Sequence, residues 1–154
     1  MRIVGIDPGL RNFGYAIVDN GELVEFDSIC IWDMVPKNKR KDYAYIARTL
    51  VDNTRIFDNC DVVLIERQMQ SRMKLIACAL RCFFWEKSYM LAPIRVKKHF
   101  KISMSDYKKN KKASIQLVPK FFSPEQENKF TLHKKKDDIA DAVLMAMYWH
   151  RLKF

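Results

Sequence analysis

Apolar and polar residues alternate along the first third of the chain in the manner of strands. Ile3 to Asp7 is a short apolar run closed by the turn-forming Pro8-Gly9. Phe13 to Val18 then resumes with aromatic and β-branched residues, and Asp19-Asn20-Gly21 reads as a hairpin turn. From Leu23 to Trp32, the residues Val24, Phe26, Ser28, Cys30 and Trp32 share one face, and Leu23, Glu25, Asp27, Ile29 and Ile31 the other, which predicts a third antiparallel strand. After a polar break at Pro36 to Lys41 the period changes. Tyr43, Ile46, Ala47, Leu50, Thr54 and Phe57 fall at helical spacing, so one amphipathic helix is expected to cover the sheet.

Val62-Val63-Leu64-Ile65 is a continuous run ending in Glu66, the pattern of a central parallel strand buried on both faces. Ser71 to Lys87 reads as a second helix whose apolar residues spread around its circumference. Such a helix wants two apolar neighbours, the sheet and a second copy of the chain, and Ile76, Leu80, Phe83 and Phe84 are the positions expected at that seam. Tyr89 to Ile94 predicts a fifth strand, and Lys97 to Lys112 is strongly polar. A helix from about Ala113 to Phe122, a loop around Pro124 and a last helix from about Asp138 to Leu152, apolar nearly all round, complete the chain. The expected fold is α/β: a mixed five-stranded sheet, three antiparallel strands and then parallel ones joined by right-handed crossovers, flanked by helices.

A length of 154 residues allows one domain, 1–154, with a real core. Charge changes the picture more. Lys and Arg number 28 against 18 Asp and Glu, a net charge of +10 with pI about 9.5, which points to a polyanionic partner. The longest apolar region, Met73 to Trp85, is interrupted by Lys74 and Arg81, and the N-terminus places Asp7 where a secretory apolar region would run, so a soluble intracellular chain without a membrane span is expected. Cys30, Cys60, Cys78 and Cys82 form no CxxC pair and read as reduced thiols.

The carboxylates carry the candidate chemistry. Asp7 ends the first strand and Glu66 ends the strand expected beside it, so both emerge at one edge of the sheet. Asp138 and Asp141 share a helical face. If that helix crosses the sheet edge, four like charges converge, which requires protons or bound cations, and oxygen-only ligation suits Mg²⁺ or Mn²⁺. Each residue also has a plainer role open to it. Asp7 can start a turn, Glu66 can be a solvated charge, and Asp137 and Asp138 suit the first turn of a helix. Asp141 fits these least, because Ile139, Ala140, Ala142, Val143 and Leu144 around it are apolar.

Read together, these segments form a resemblance. GIDPGLRNFGYAIV resembles the G-I-D-P-G-x-x-x-x-G-Y opening of RuvC-type Holliday junction resolvases, VLIERQ their second acidic strand, and DDIADA their C-terminal D-x-x-D helix. The wording of IERQ and KKDDIADA is most similar to the poxvirus branch, with mitochondrial resolvases next. The resemblance implies an RNase H-like fold, a homodimer, and Mg²⁺-dependent paired nicking of four-way DNA junctions that leaves 5′-phosphate and 3′-hydroxyl ends. It implies two metal ions per site, with Mn²⁺ able to substitute, no small-molecule cofactor, and, for a poxvirus protein, the host cytoplasm. Asp7, Glu66, Asp138 and Asp141 match the acidic quartet, which is both catalytic and metal-binding in the family. Asp137 matches no ligand and is assigned to helix capping. Arg67-Gln68-Met69-Gln70 departs from the bacterial pattern, leaving open which residues engage the junction.

Resolvases of this kind often add a lysine near the metals. Lys112, leading KKASIQLV, and Lys108 before it are the candidates. Lys97, Lys98, Lys101, Lys109 and Lys111, with Lys134, Lys135 and Lys136, are expected to contact phosphates; Phe13, Tyr15 and Tyr107 are candidates to stack on unpaired bases, with core or strand packing the favoured role for Phe13 and Tyr15. Two competing readings are open to the same residues: another RNase H-like nuclease acting on flaps or RNA, and a non-catalytic junction-binding dimer.

Overall fold

The structure, a computed structural model, describes residues 1–154. Strands β1 (Arg2–Asp7), β2 (Phe13–Asp19) and β3 (Glu22–Ile29) form an antiparallel meander. After helix α1 (Tyr43–Asn53), strand β4 (Val62–Glu66) joins β1 in parallel; after helix α2 (Ser71–Phe83), strand β5 (Ser88–Leu91) joins β4 in parallel. The strand order is β3-β2-β1-β4-β5, which is the predicted mixed sheet. Helices α3 (Pro93–His99), α4 (Tyr107–Leu117), α5 (Pro124–Leu132) and α6 (Lys136–Lys153) follow.

Strand alternation divides the core into two layers. Ile3, Ala16, Val18, Val62 and Leu64 face α6, which is buried through its middle, from Ile139 to Tyr148 apart from the half-buried Asp141. Val4, Ile6, Ile17, Val63 and Ile65 face α1 and α2, meeting Ile46, Leu50, Ile76 and Leu80. The expected seam between copies is thereby corrected: Ile76 and Leu80 are 0% exposed within this one chain, and Phe84 packs on Phe57 with ring centroids 4.7 Å apart. Of those four residues Phe83, 41% exposed, is the one that reaches the surface.

Several boundaries also move. A bulge between Ile17 and Val18 lets both Leu23 and Phe26 turn into the α6 layer, so the two-face assignment for β3 fails at Val24, which is exposed. β3 ends at Ile29, and Ile31–Asp33 is a 3₁₀ turn. α1 ends at Asn53, with Phe57 packing from beyond it. β5 stops at Leu91, and Pro93 takes the first helical position of α3, where its missing N–H costs no bond. The polar stretch Lys97 to Lys112 holds the end of α3 and the first half of α4, which Asp106 caps by accepting from the Lys108 and Lys109 amides. Pro124 begins α5 behind a Ser123/Gln126 capping box.

Candidate active site

β1 and β4 run side by side with Ile6 opposite Ile65, so Asp7 and Glu66, one residue further on, leave the sheet together. The third carboxylate comes from α6. One oxygen from each of Asp7, Glu66 and Asp141 lies within 4.8 Å of the others. Two glycines make this approach possible. A Cβ on Gly14 would stand 2.6 Å from the Asp138 carbonyl oxygen, and one on Gly5 would overlap that of Ala142, so α6 rests directly on the strand backbones and holds Asp138 and Asp141 over the strand ends.

Burial and mutual repulsion disfavour ionisation here. Burial, then the charges of Glu66, Asp138 and Asp141, push the Asp7 carboxyl up to about 10. Burial and then Asp141 push Glu66 up to about 7. Asp138 and Asp141 are also raised, first by burial. Opposing this, Lys97 places its Nζ 3.6 Å from Asp141 Oδ1. Glu66 Oε2 and Asp138 Oδ2 are buried and have no hydrogen-bond partner. Unpaired buried oxygens, aimed into a cluster made only of hard oxygen donors, fit a divalent cation such as Mg²⁺ or Mn²⁺.

The surrounding residues were less visible in the sequence. Gln68 donates from Nε2 to Asp7 Oδ1 at 3.1 Å. Its signal is the strand period continued past the end of β4, which sets Glu66 and Gln68 on one side. Asp137 is not a cap; Lys135 holds the N-cap position without a side-chain bond, and Asp137 accepts from Lys111 Nζ at 2.7 Å. Burial pushes the Asp137 carboxyl up, but Lys111 outweighs it and holds the group below the usual carboxylate range, while the same bond raises the Lys111 ammonium.

The carboxylates floor an open cleft of about 700 Å³, and the cations on its walls are Arg11, Arg67, Lys97, Lys111 and Lys135. Lys108 and Lys112 are exposed and do not line it; the lysines that do are Lys97, Lys111 and Lys135. That corrects a second expectation, since Lys97 is buried and paired rather than free for phosphate contact, and Lys111 is paired with Asp137. Lys98, Lys101 and Lys109 are exposed. A second groove, of about 450 Å³, is lined by Lys129, His133, Lys134 and Lys135, with Lys129 and His133 held by Asp27 at 3.1 and 3.0 Å. It shares Asn12 and Lys135 with the carboxylate cleft. Lys136 is half-buried in the first turn of α6. Phe13 and Tyr15 are core residues, whereas Tyr107 is exposed beside the cleft.

Residues 1–153 match the sequence model described as Poxvirus A22 protein. The chain belongs to that family. Among solved structures, this A22 family member is similar to the fowlpox virus resolvase crystallised with its substrate Holliday junction DNA, at 24% identity and TM-score 0.71, covering 100% of this chain and 99% of that one. It is similar to the yeast mitochondrial Holliday junction resolvase at 19% identity and TM-score 0.73, covering 97% and 79%. The Thermus thermophilus RuvC structure matches at 16% identity and TM-score 0.60, covering 99% and 97%. No curated protein sequence matches the chain with significance. The A22 family member therefore has the RNase H-like fold of RuvC-type resolvases. No helix in it is long and apolar enough to cross a membrane.

Proposed function

We propose that this chain is a divalent-metal-dependent endodeoxyribonuclease that resolves four-way DNA junctions by paired symmetric nicks, leaving 5′-phosphate and 3′-hydroxyl ends. The observation that carries the reading is the convergence of Asp7, Glu66 and Asp141 within 4.8 Å, flanked by Asp138, at the floor of an open cleft on a protein of net charge +10. Membership of the A22 family and the likeness to resolvases support it.

Asp7, Glu66, Asp138 and Asp141 would hold two Mg²⁺ ions, with Mn²⁺ as a substitute. Metal bound there supplies activation of a water and neutralisation of charge on the departing 3′-oxygen. The chain's own groups define the rest. Gln68 fixes the rotamer of Asp7, and Lys97 fixes that of Asp141, so the carboxylates meet the substrate already oriented. Lys111, paired with Asp137 on the cleft wall, braces that wall beside Asp138. None of these steps uses a histidine: His133 is engaged with Asp27 in the second groove, and His99 packs on Tyr148.

Paired nicks need two sites related by symmetry, and the homodimer proposed here uses the outward side of α2, where Leu75, Cys78, Cys82 and Phe83 are exposed beside Trp85. A location in the host cytoplasm follows from the poxvirus family. Incubation with an end-labelled mobile four-way junction, with and without Mg²⁺, tests the function. Symmetric cuts dependent on metal are expected. Preference for flaps or RNA–DNA hybrids would replace the substrate assignment, and binding without scission in any divalent cation would overturn the enzymatic one.

A further inference from the structure

Leu10 and Ile31 are both buried, and the Ile31 amide donates to the Leu10 carbonyl at 2.9 Å. That bond ties the loop after β1 to the 3₁₀ turn Ile31–Asp33. The next residue on each side, Arg11 and Trp32, is thereby held against the other. The Arg11 guanidinium lies over the Trp32 ring, 4.8 Å from its centroid. Arg40 lies 5.1 Å from the same centroid, and its Nη2 donates to the Trp32 carbonyl at 3.3 Å. Arg11 and Trp32 line the carboxylate cleft whereas Arg40 holds the ring from outside it.

Neither arginine has a carboxylate within ion-pair distance. This sets Arg11 apart from Lys97 and Lys111, the cleft cations already consumed by Asp141 and Asp137. A guanidinium beside so many carboxylates is drawn onto them, and the Trp32 face competes for it. Held on the ring, Arg11 keeps its fork of N–H donors open, and that planar fork matches two oxygens of one phosphate.

We propose that Arg11, stacked on Trp32, is a phosphate clamp that grips the DNA strand in the cleft at a phosphodiester beside the one over the carboxylates. The inference rests on the reading of the chain as a DNA-cleaving enzyme, and it adds the element that registers the strand before cutting. Trp32 and Arg40 are positioning residues, acting through Arg11.

The test is fluorescence anisotropy of the intact chain with labelled four-way junction, linear duplex and single strand, in EDTA, between about 50 and 200 mM salt. Arg11→Gln is expected to weaken junction binding roughly 5- to 10-fold and to flatten the plot of log affinity against log salt by about 0.9. Trp32→Leu keeps every charge yet is expected to weaken binding to a similar degree, because Arg11 then turns to the carboxylates, and Trp32→Phe is expected to restore most of the loss. Arg11→Lys, which keeps the charge but not the fork, is expected to lose about 3-fold in affinity at an unchanged salt slope. An Arg11→Gln protein within twofold of the unsubstituted chain, or Arg11→Lys and Trp32→Leu proteins that bind normally, would overturn the clamp. If Trp32→Leu melts early, the two Arg11 variants decide. A chain that binds all three DNAs equally, with the Arg11→Gln loss intact, would sink the junction assignment while keeping the clamp; failure to bind any DNA would remove both.

Discussion

Lys97 on α3 reaches Asp141 on α6 with Nζ and Oδ1 3.6 Å apart, the two side chains 10% and 18% exposed. A buried pair of this kind is weakly stabilising as a whole but costly to break, because the orphaned charge stays buried. Lys97→Met is therefore expected to destabilise the metal-free protein by about 3 kcal/mol, a fall of roughly 6–12 °C in Tm. Added Mg²⁺ is expected to recover much of that loss. A Tm unchanged in EDTA would show that Lys97 is not the counter-charge of the site.

Asp138 carries a buried oxygen with no partner and approaches Asp7 from the first turns of α6. Asp138→Asn preserves the shape and removes the charge. Junction binding in EDTA is expected to hold within a few-fold, while the single-turnover cutting rate in Mg²⁺ falls by at least about 100-fold. Normal cutting by this variant would exclude Asp138 from the reaction.

The raised carboxyls fix the sign of the pH dependence. Asp7 at about 10 and Glu66 at about 7 hold protons in the folded state that the unfolded chain has released, so their contribution is complete below about pH 4 and is lost as pH rises through 7 and toward 10. In EDTA, Tm is expected to fall from pH 5 to pH 9. With Mg²⁺ the decline is expected to flatten, since bound cations replace the protons. Melting curves in both buffers across that range check it, and a rising Tm in EDTA contradicts the buried, crowded cluster.

Gly14 is the floor on which the start of α6 rests. An added methyl would stand 2.6 Å from the Asp138 carbonyl oxygen, a backbone atom that cannot swing aside as the end of a side chain can. Gly14→Ala is expected to cost about 1–3 kcal/mol by overpacking and to lower the cutting rate by displacing Asp138. Stability and activity unaltered together would mean that α6 does not rest on β2 in solution.

The two sides of α2 separate folding from association. Leu80 is fully buried and Phe83 is 41% exposed. Leu80→Glu buries an unpaired charge and is expected to prevent folding. Phe83→Glu is expected to leave a folded chain whose sedimentation mass drops to that of a monomer. A folded Phe83→Glu protein of unchanged mass would move the proposed dimer surface elsewhere.

The strand order and the placement of Asp7, Glu66 and Asp141 were legible because they depend on local patterns. The short apolar run Ile3–Asp7 and the continuous Val62–Ile65 run define two strands, and a carboxylate at the end of each emerges at the same edge once they pair in parallel. The spacing of Asp138 and Asp141 needs nothing beyond the helical repeat. The errors lie where position depends on packing. Leu23 and Phe26 share a face only because of the bulge beside Val18. Ile76 and Leu80 look available on a helix that is apolar around much of its circumference, yet they are spent on the chain's own sheet.

Charge shows the division most clearly. Composition and local pattern by themselves determined that this protein is basic, that Asp7 and Glu66 leave the sheet at one edge, and that its lysines flank the last acidic helix. They did not determine which cation serves which purpose. Lys97 and Lys98 are neighbours in a lysine-rich stretch, but α3 packs against α6 so that the first is buried on Asp141 and the second is left in water. Arg11 and Trp32 meet through one backbone bond between Leu10 and Ile31. Electrostatic energy falls with distance through space and grows with burial, neither of which is a property of sequence separation, so the roles of the cations were decided only when the helices closed over the sheet.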